Sequence, residues 1–142
     1  MQVPIPADIF PPRPGKPGYM QKVESWIPGP NGRPVRNSEG DRTDRSKTLD
    51  ESVRQYQQCV SAIDEGVGRL VAALKESGQW ENTLVVFTSD QGFAWGQHGF
   101  RAKLAPYDDN LRAPLIVTHP GVVPEGTVCR APVGGADLVP TF

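Results

Sequence analysis

A chain of 142 residues is long enough for one modest domain, and 15 basic against 16 acidic side chains give it a formal net charge of -1. That balance excludes a global field for nucleic acid or an anionic membrane, so any anion must be met locally. No apolar run approaches the roughly 20 residues that cross a bilayer, and "MQVPIPADIF" lacks the charged and long apolar regions of a signal peptide.

Most of the 15 prolines precede Asp41. Fixed φ angles and missing N–H donors work against helix interiors and central strands, so the first third is predicted to be mainly loop. Its apolar residues, Ile9, Phe10, Tyr19, Val23, Trp26 and Ile27, are too few for a core of their own. The segment is expected to drape over a folded body. Trp26, in "SWIPGPNGRPVRN", has two readings, packing against that body or stacking on a sugar at its rim.

From Thr48 the pattern changes. Val53, Tyr56, Val60, Ile63, Val67, Leu70, Val71 and Leu74 recur at three-and-four spacing and describe one face of a helix. Thr48 and Glu51 fit a capping box at its start, and Gly78 suits a left-handed cap at its end. Cys59 falls near the stripe, where a small hydrophobic role is expected. Cys59 and Cys129 lie far apart without CxxC or Cys/His spacing, so no zinc site or disulfide framework is implied and their pairing stays open.

Two short β-branched runs follow, at 84–87 and 114–119, each apolar on both faces as in parallel strands covered by helices. The second is stopped by Pro120-Gly121. A further short or edge strand is expected at 127–133 and a helix from Gly135 onward. Helix, buried strand, long loop and buried strand together predict an α/β fold built on an open sheet.

In such sheets ligand-binding groups lie beyond the carboxyl ends of the strands, and "TSDQGFAWGQHGFRAK" leaves the first strand there. Asp90 has three readings: a turn former, a cap for a following helix, or a metal ligand. Gln91 adds a neutral oxygen beside it, and the pair suits Ca²⁺ or Mg²⁺, although two ligands alone hold neither well. Gly92, Gly96 and Gly99 permit tight turns and close approach to a ligand. They leave Gln97, His98 and Lys103 as the loop's main polar groups, with Arg101 in between.

The run "NTLVVFTSDQGFAWGQHGFRAK", then "PYDDNLRAPLIVTHPG" and "DLVPTF", resembles the later part of the catalytic domain of type I sulfatases, in the alkaline phosphatase superfamily. The similarity covers Leu49 to the end in order and spacing. It implies part of an alkaline-phosphatase-like open sheet covered by helices and incomplete at both ends. Residues 1–45 then form a Pro-rich loop region packing on the catalytic domain, and 46–142 the C-terminal half of that domain, within one incomplete domain overall.

By the resemblance, Asp90 and Gln91 are ligands of a divalent cation, usually Ca²⁺ with Mg²⁺ possible. Lys103 contacts the sulfate group and stabilises the leaving oxygen, and His98 supports substrate binding. Arg112 and Pro114 match a structural segment leading into the next strand. The family's nucleophile is a formylglycine made from Cys, less often Ser, in a Cys-x-Pro/Ala-x-Arg context. Cys59, followed by "VSAI", and Cys129, followed by "RAPV", do not fit it. The family's paired metal-binding aspartates and an earlier Lys and His are also absent from this sequence.

The chain is therefore expected to be an internal part of a sulfuric ester hydrolase, inactive, poorly stable and aggregation-prone alone. A sulfate ester, including a sulfated carbohydrate, is the implied substrate, and many relatives are exported. Two rival readings stand beside it. One is a phosphonate monoester or phosphodiester hydrolase of the same superfamily, against which Gln91 weighs because His is common there. The other is a non-catalytic binding protein that keeps the fold.

Overall fold

A computed structural model of the chain describes residues 2–37, 47–103 and 105–142. They fall into two compact units, Met1–Val67 with Gln91–Arg112 and Gly68–Asp90 with Ala113–Phe142. The domain boundary expected between 45 and 46 lies outside the described residues.

The longest element is helix α1, Leu49–Glu76. Its start carries the predicted capping box: Thr48 Oγ1 accepts the Glu51 N–H at 3.2 Å, and Glu51 Oε2 accepts the Thr48 N–H at 2.9 Å. Those hydrogen bonds from Thr48, backbone first, hold the Glu51 carboxyl below its ordinary value. The other end closes as predicted on Gly78, at φ 70°. Gln79 N–H donates to Leu74 O at 2.9 Å and Gly78 N–H to Lys75 O at 3.1 Å, the paired bonds of a left-handed C-cap.

The apolar stripe of α1 is less covered than its sequence predicts. Only Leu49 and Ser52 are buried, while Tyr56, Val60, Ile63 and Leu70 are exposed. Cys59 is exposed too, with a free thiol, so its expected role as a small buried hydrophobe is corrected; Cys129 is likewise free and exposed. A periodic stripe reports which face is apolar and says nothing of whether anything lies against it.

Within the first unit, the core lies in the stretch predicted to be loop. Ile9, Trp26 and Leu49 are buried together, with Val3, Phe10, Val53 and Trp95 packed around them. Strands β1 (Trp26–Pro28) and β2 (Pro34–Arg36) pair antiparallel, with Ile27 opposite Val35. Trp26 is 1% exposed, and its indole N–H donates to Phe100 O at 3.3 Å, which decides for packing over sugar stacking.

Two charged residues bind this segment together. Arg13 is 2% exposed and donates to four backbone carbonyls, those of Asp8, Ile9, Met20 and Val23. A buried guanidinium is tolerable because its fork of donors is filled by partial negative charges. Asp50, in the first turn of α1, accepts from Arg33 Nε at 2.9 Å and from the Val3 N–H at 2.7 Å. The Arg33 hydrogen bonds are the main reason its carboxyl lies below the ordinary value.

Four more strands follow, β3 (Val85–Thr88), β4 (Ala94–Trp95), β5 (Arg101–Ala102) and β6 (Leu115–Thr118). The expected parallel arrangement is corrected: β3 and β6 run antiparallel, with Val86 opposite Val117 and Phe87 opposite Ile116. An apolar run shows that a strand has two apolar faces and carries no information about its neighbour's direction. Neither strand is buried; Phe87 is 36% and Ile116 60% exposed.

Helix and strand are mixed as expected, yet no open sheet forms among the described residues, whose strands make three two-stranded sheets. The strand expected at 127–133 is irregular chain. A four-residue helix α2, Asp108–Leu111, precedes β6, and the predicted last helix is α3, Gly135–Thr141. No helix among the described residues is long and apolar enough to cross a membrane.

Candidate active site

β3 delivers the chain to Ser89 and Asp90. Asp90 is exposed, and its Oδ1 accepts from Ser89 Oγ at 3.3 Å. Gln91 is half-buried, with its Oε1 out of contact with solvent. As hard oxygen donors the two suit Ca²⁺ or Mg²⁺ in kind and fall short in number. Among the described residues no group of three or more His, Cys, Asp or Glu could hold a metal ion.

The glycines that follow make room for the chain's own atoms. A Cβ on Gly92 would lie 2.1 Å from Asp109 O and 2.6 Å from Arg112 O. On Gly96 it would lie 2.5 Å from Ile9 Cδ1, and on Gly99 2.0 Å from Arg13 Nη2. Each of these close approaches is to the chain's own atoms. Gly96 and Gly99 also need their left-handed φ of 107° and 79° to close the turn between β4 and β5.

His98 sits inside that turn at φ 54°, a conformation few non-glycine residues adopt. Asp8 holds it twice. Asp8 Oδ1 accepts the His98 N–H at 3.0 Å, and Oδ2 lies 2.5 Å from the ring Nδ1. Burial raises the Asp8 carboxyl, but the His98 backbone N–H, ring and charge together hold it below its ordinary value. An ionised carboxylate only accepts, so Nδ1 carries the proton and Nε2 is the acceptor whenever the ring is neutral. Tyr107 stacks on the imidazole at 4.0 Å between centroids, under Lys16 Nζ at 4.8 Å from its ring.

Lys103 follows β5 and is exposed. The residue before it, Ala102, has φ 71°, and its carbonyl accepts from Asn110 Nδ2 at 2.6 Å. Gln91, His98 and Lys103 thus belong to the first unit, and Asp90 closes a segment of the second. Sequence reasoning missed Asp8, Arg13 and Asn110. Asp8 and Arg13 act across gaps of up to 90 residues or through backbone carbonyls, and neither kind of contact leaves a local pattern.

The family model named Sulfatase matches residues 21–142. This chain belongs to the Sulfatase family. The chain is 40% identical over 90 residues to the N-acetylglucosamine-6-O-sulfatase of Bacteroides thetaiotaomicron, covering 63% of this chain and 16% of that protein. It is 31% identical over 126 residues to the ulvan-active sulfatase of Formosa agariphila, covering 87% of this chain and 23% of that protein. A solved structure of a complex with D-glucosamine-2-N,6-O-disulfate matches at 42% identity and a TM-score of 0.48, over 51% of this chain and 15% of that one. The chain therefore spans less than a quarter of the length of these relatives. The matched residues contain Asp90, Gln91, His98 and Lys103, whereas Asp8 and Arg13 precede them.

Proposed function

We propose that this chain supplies one part of the active site of a sulfuric ester hydrolase. The observation that carries the reading is the family match over 21–142, which takes in the whole loop from Asp90 to Lys103. In sulfate ester cleavage a nucleophile attacks sulfur while the S–O bond breaks and the bridging oxygen gains negative charge. Lys103 places an ammonium where that charge develops, a contribution typically of about 3 kcal/mol to lowering the barrier.

His98, its ring fixed by Asp8 and Tyr107, supports the sulfate or its alcohol without exchanging a proton in the reaction. Asp90 and Gln91 would contribute two oxygens to a divalent cation, Ca²⁺ or Mg²⁺; its further ligands and a formylglycine nucleophile would come from residues outside this sequence. Such a cation neutralises sulfate oxygens when bound. Relatives named for N-acetylglucosamine and for ulvan support a sulfated carbohydrate as the substrate class.

The proposal is tested in an active polypeptide that contains this sequence. Lys103→Ala is expected to lower kcat/KM for an aryl sulfate on the order of 10²- to 10³-fold. Unchanged turnover removes Lys103 from the reaction, and a preference for a matched phosphonate ester replaces the sulfatase reading with its nearest rival. The 142-residue chain alone is expected to turn over no sulfate ester, because neither cysteine stands in the required context.

A further inference from the structure

Asn110 touches both ends of the candidate loop. It sits in α2 and is 2% exposed, one of few buried polar residues among those described. Its side-chain Nδ2 donates to Ala102 O at 2.6 Å, and its own backbone O accepts the Gly92 N–H at 2.9 Å. A peptide group is planar, so fixing the Ala102 carbonyl fixes the plane that ends on the Cα of Lys103. In the same way, fixing the Gly92 N–H fixes the plane that begins on the Cα of Gln91.

The local structure is otherwise unfavourable, which shows what the contact has to hold. Ala102 lies in the left-handed region, at φ 71°, where a Cβ crowds the backbone. Asn110 Oδ1 is buried and accepts no hydrogen bond, so the amide is satisfied only through its donor. An apolar side chain of the same size would avoid that orphaned acceptor. Donation to Ala102 is what the amide provides in return. Gly92 has no room for a side chain against Asp109 O and Arg112 O, so α2 and the segment after Gln91 meet backbone to backbone.

From these contacts we infer that Asn110 is a positioning residue that sets Lys103 and Gln91 in register with each other. It reaches no substrate itself. The inference rests on the proposed role of Lys103 only for its effect on sulfate; the geometric part stands apart from that role and is tested apart.

In an active polypeptide that contains this sequence, Asn110 side-chain amide protons are expected to exchange slowly by NMR, and solvent-like exchange would overturn the inference without any variant. Asn110→Leu keeps the volume and removes the donor, and Asn110→Asp removes it wherever the pH keeps the carboxylate ionised. In both, the one-bond Cα–Hα coupling of Ala102 should report loss of positive φ, while the Gly92 amide, bonded to a backbone carbonyl, stays protected. Ala102 keeping positive φ in both variants would also overturn the inference. Inorganic sulfate is then titrated. Asn110→Leu should weaken it about tenfold, and adding it to Lys103→Ala should cause no further loss, because the amide acts through the lysine. Equal losses in both backgrounds would assign Asn110 a general structural role and overturn positioning. A wild-type active polypeptide that binds no sulfate defeats the reading of Lys103, while the exchange and coupling measurements still decide the geometry.

Discussion

At the scale of single residues, the best-held side chains are those no motif marks. Arg13 satisfies four carbonyls at once. Removing it as Arg13→Met would leave those acceptors buried, so a loss of about 3 kcal/mol is expected in chemical denaturation. Gly99→Ala attacks the same cluster from the other side, because a Cβ there meets the Arg13 guanidinium and the φ of 79° disfavours any side chain. Asp8 gives the segment an acid sensitivity. Its carboxyl is lowered from 3.8 in the folded state, so its contribution is complete above that value and is lost as pH falls through the lowered one. Denaturation followed from neutral pH down to about 2 should show this loss, and Asp8→Asn should shrink it while costing about 1 kcal/mol at neutral pH after solvent screening. Of the candidate site, the order Asp90, Gln91, His98, Lys103 was legible because the residues lie in one run. The carboxylate that fixes His98 was not, since it stands 90 residues away.

At the scale of elements, legibility followed the range of the physics. Both ends of α1 could be read because a capping box and a left-handed glycine act within a turn of the helix. Thr48→Ala should therefore lower stability by about 1 kcal/mol, measured as a shift in the denaturation midpoint at unchanged slope. The positions of β3 and β6 were read to within a residue from their β-branched runs. Their direction was not, because pairing joins segments 30 residues apart and the run of apolar side chains is the same for either orientation. The segment rich in proline packs as its few apolar residues imply, not on itself alone: Ile9 and Trp26 are buried by partners such as Leu49 and Trp95 from later in the chain, which the local sequence does not name.

At the scale of the whole molecule, the described residues leave a large share of their apolar side chains in water. Ile63, Leu70 and Ile116 are 52%, 68% and 60% exposed, and β3 and β6 each hydrogen-bond to one strand neighbour only. Exposed apolar surface with open strand edges favours association. The isolated chain is expected to bind a hydrophobic dye and to scatter light increasingly with concentration, and Ile116→Lys should reduce both; a clear monodisperse monomer would refute this. The buried cluster of the first unit has a temporal consequence as well. Trp26 needs Phe100 and His98 needs Asp8, contacts separated by 74 and 90 residues. During synthesis the early segment must leave the ribosome and wait, unprotected, until the turn between β4 and β5 has emerged. Nascent chains halted before residue 98 should be cut by protease near Trp26, and those from which Tyr107 has emerged should resist. For this polypeptide, residues translated near position 100 complete the contacts of Asp8 and Trp26.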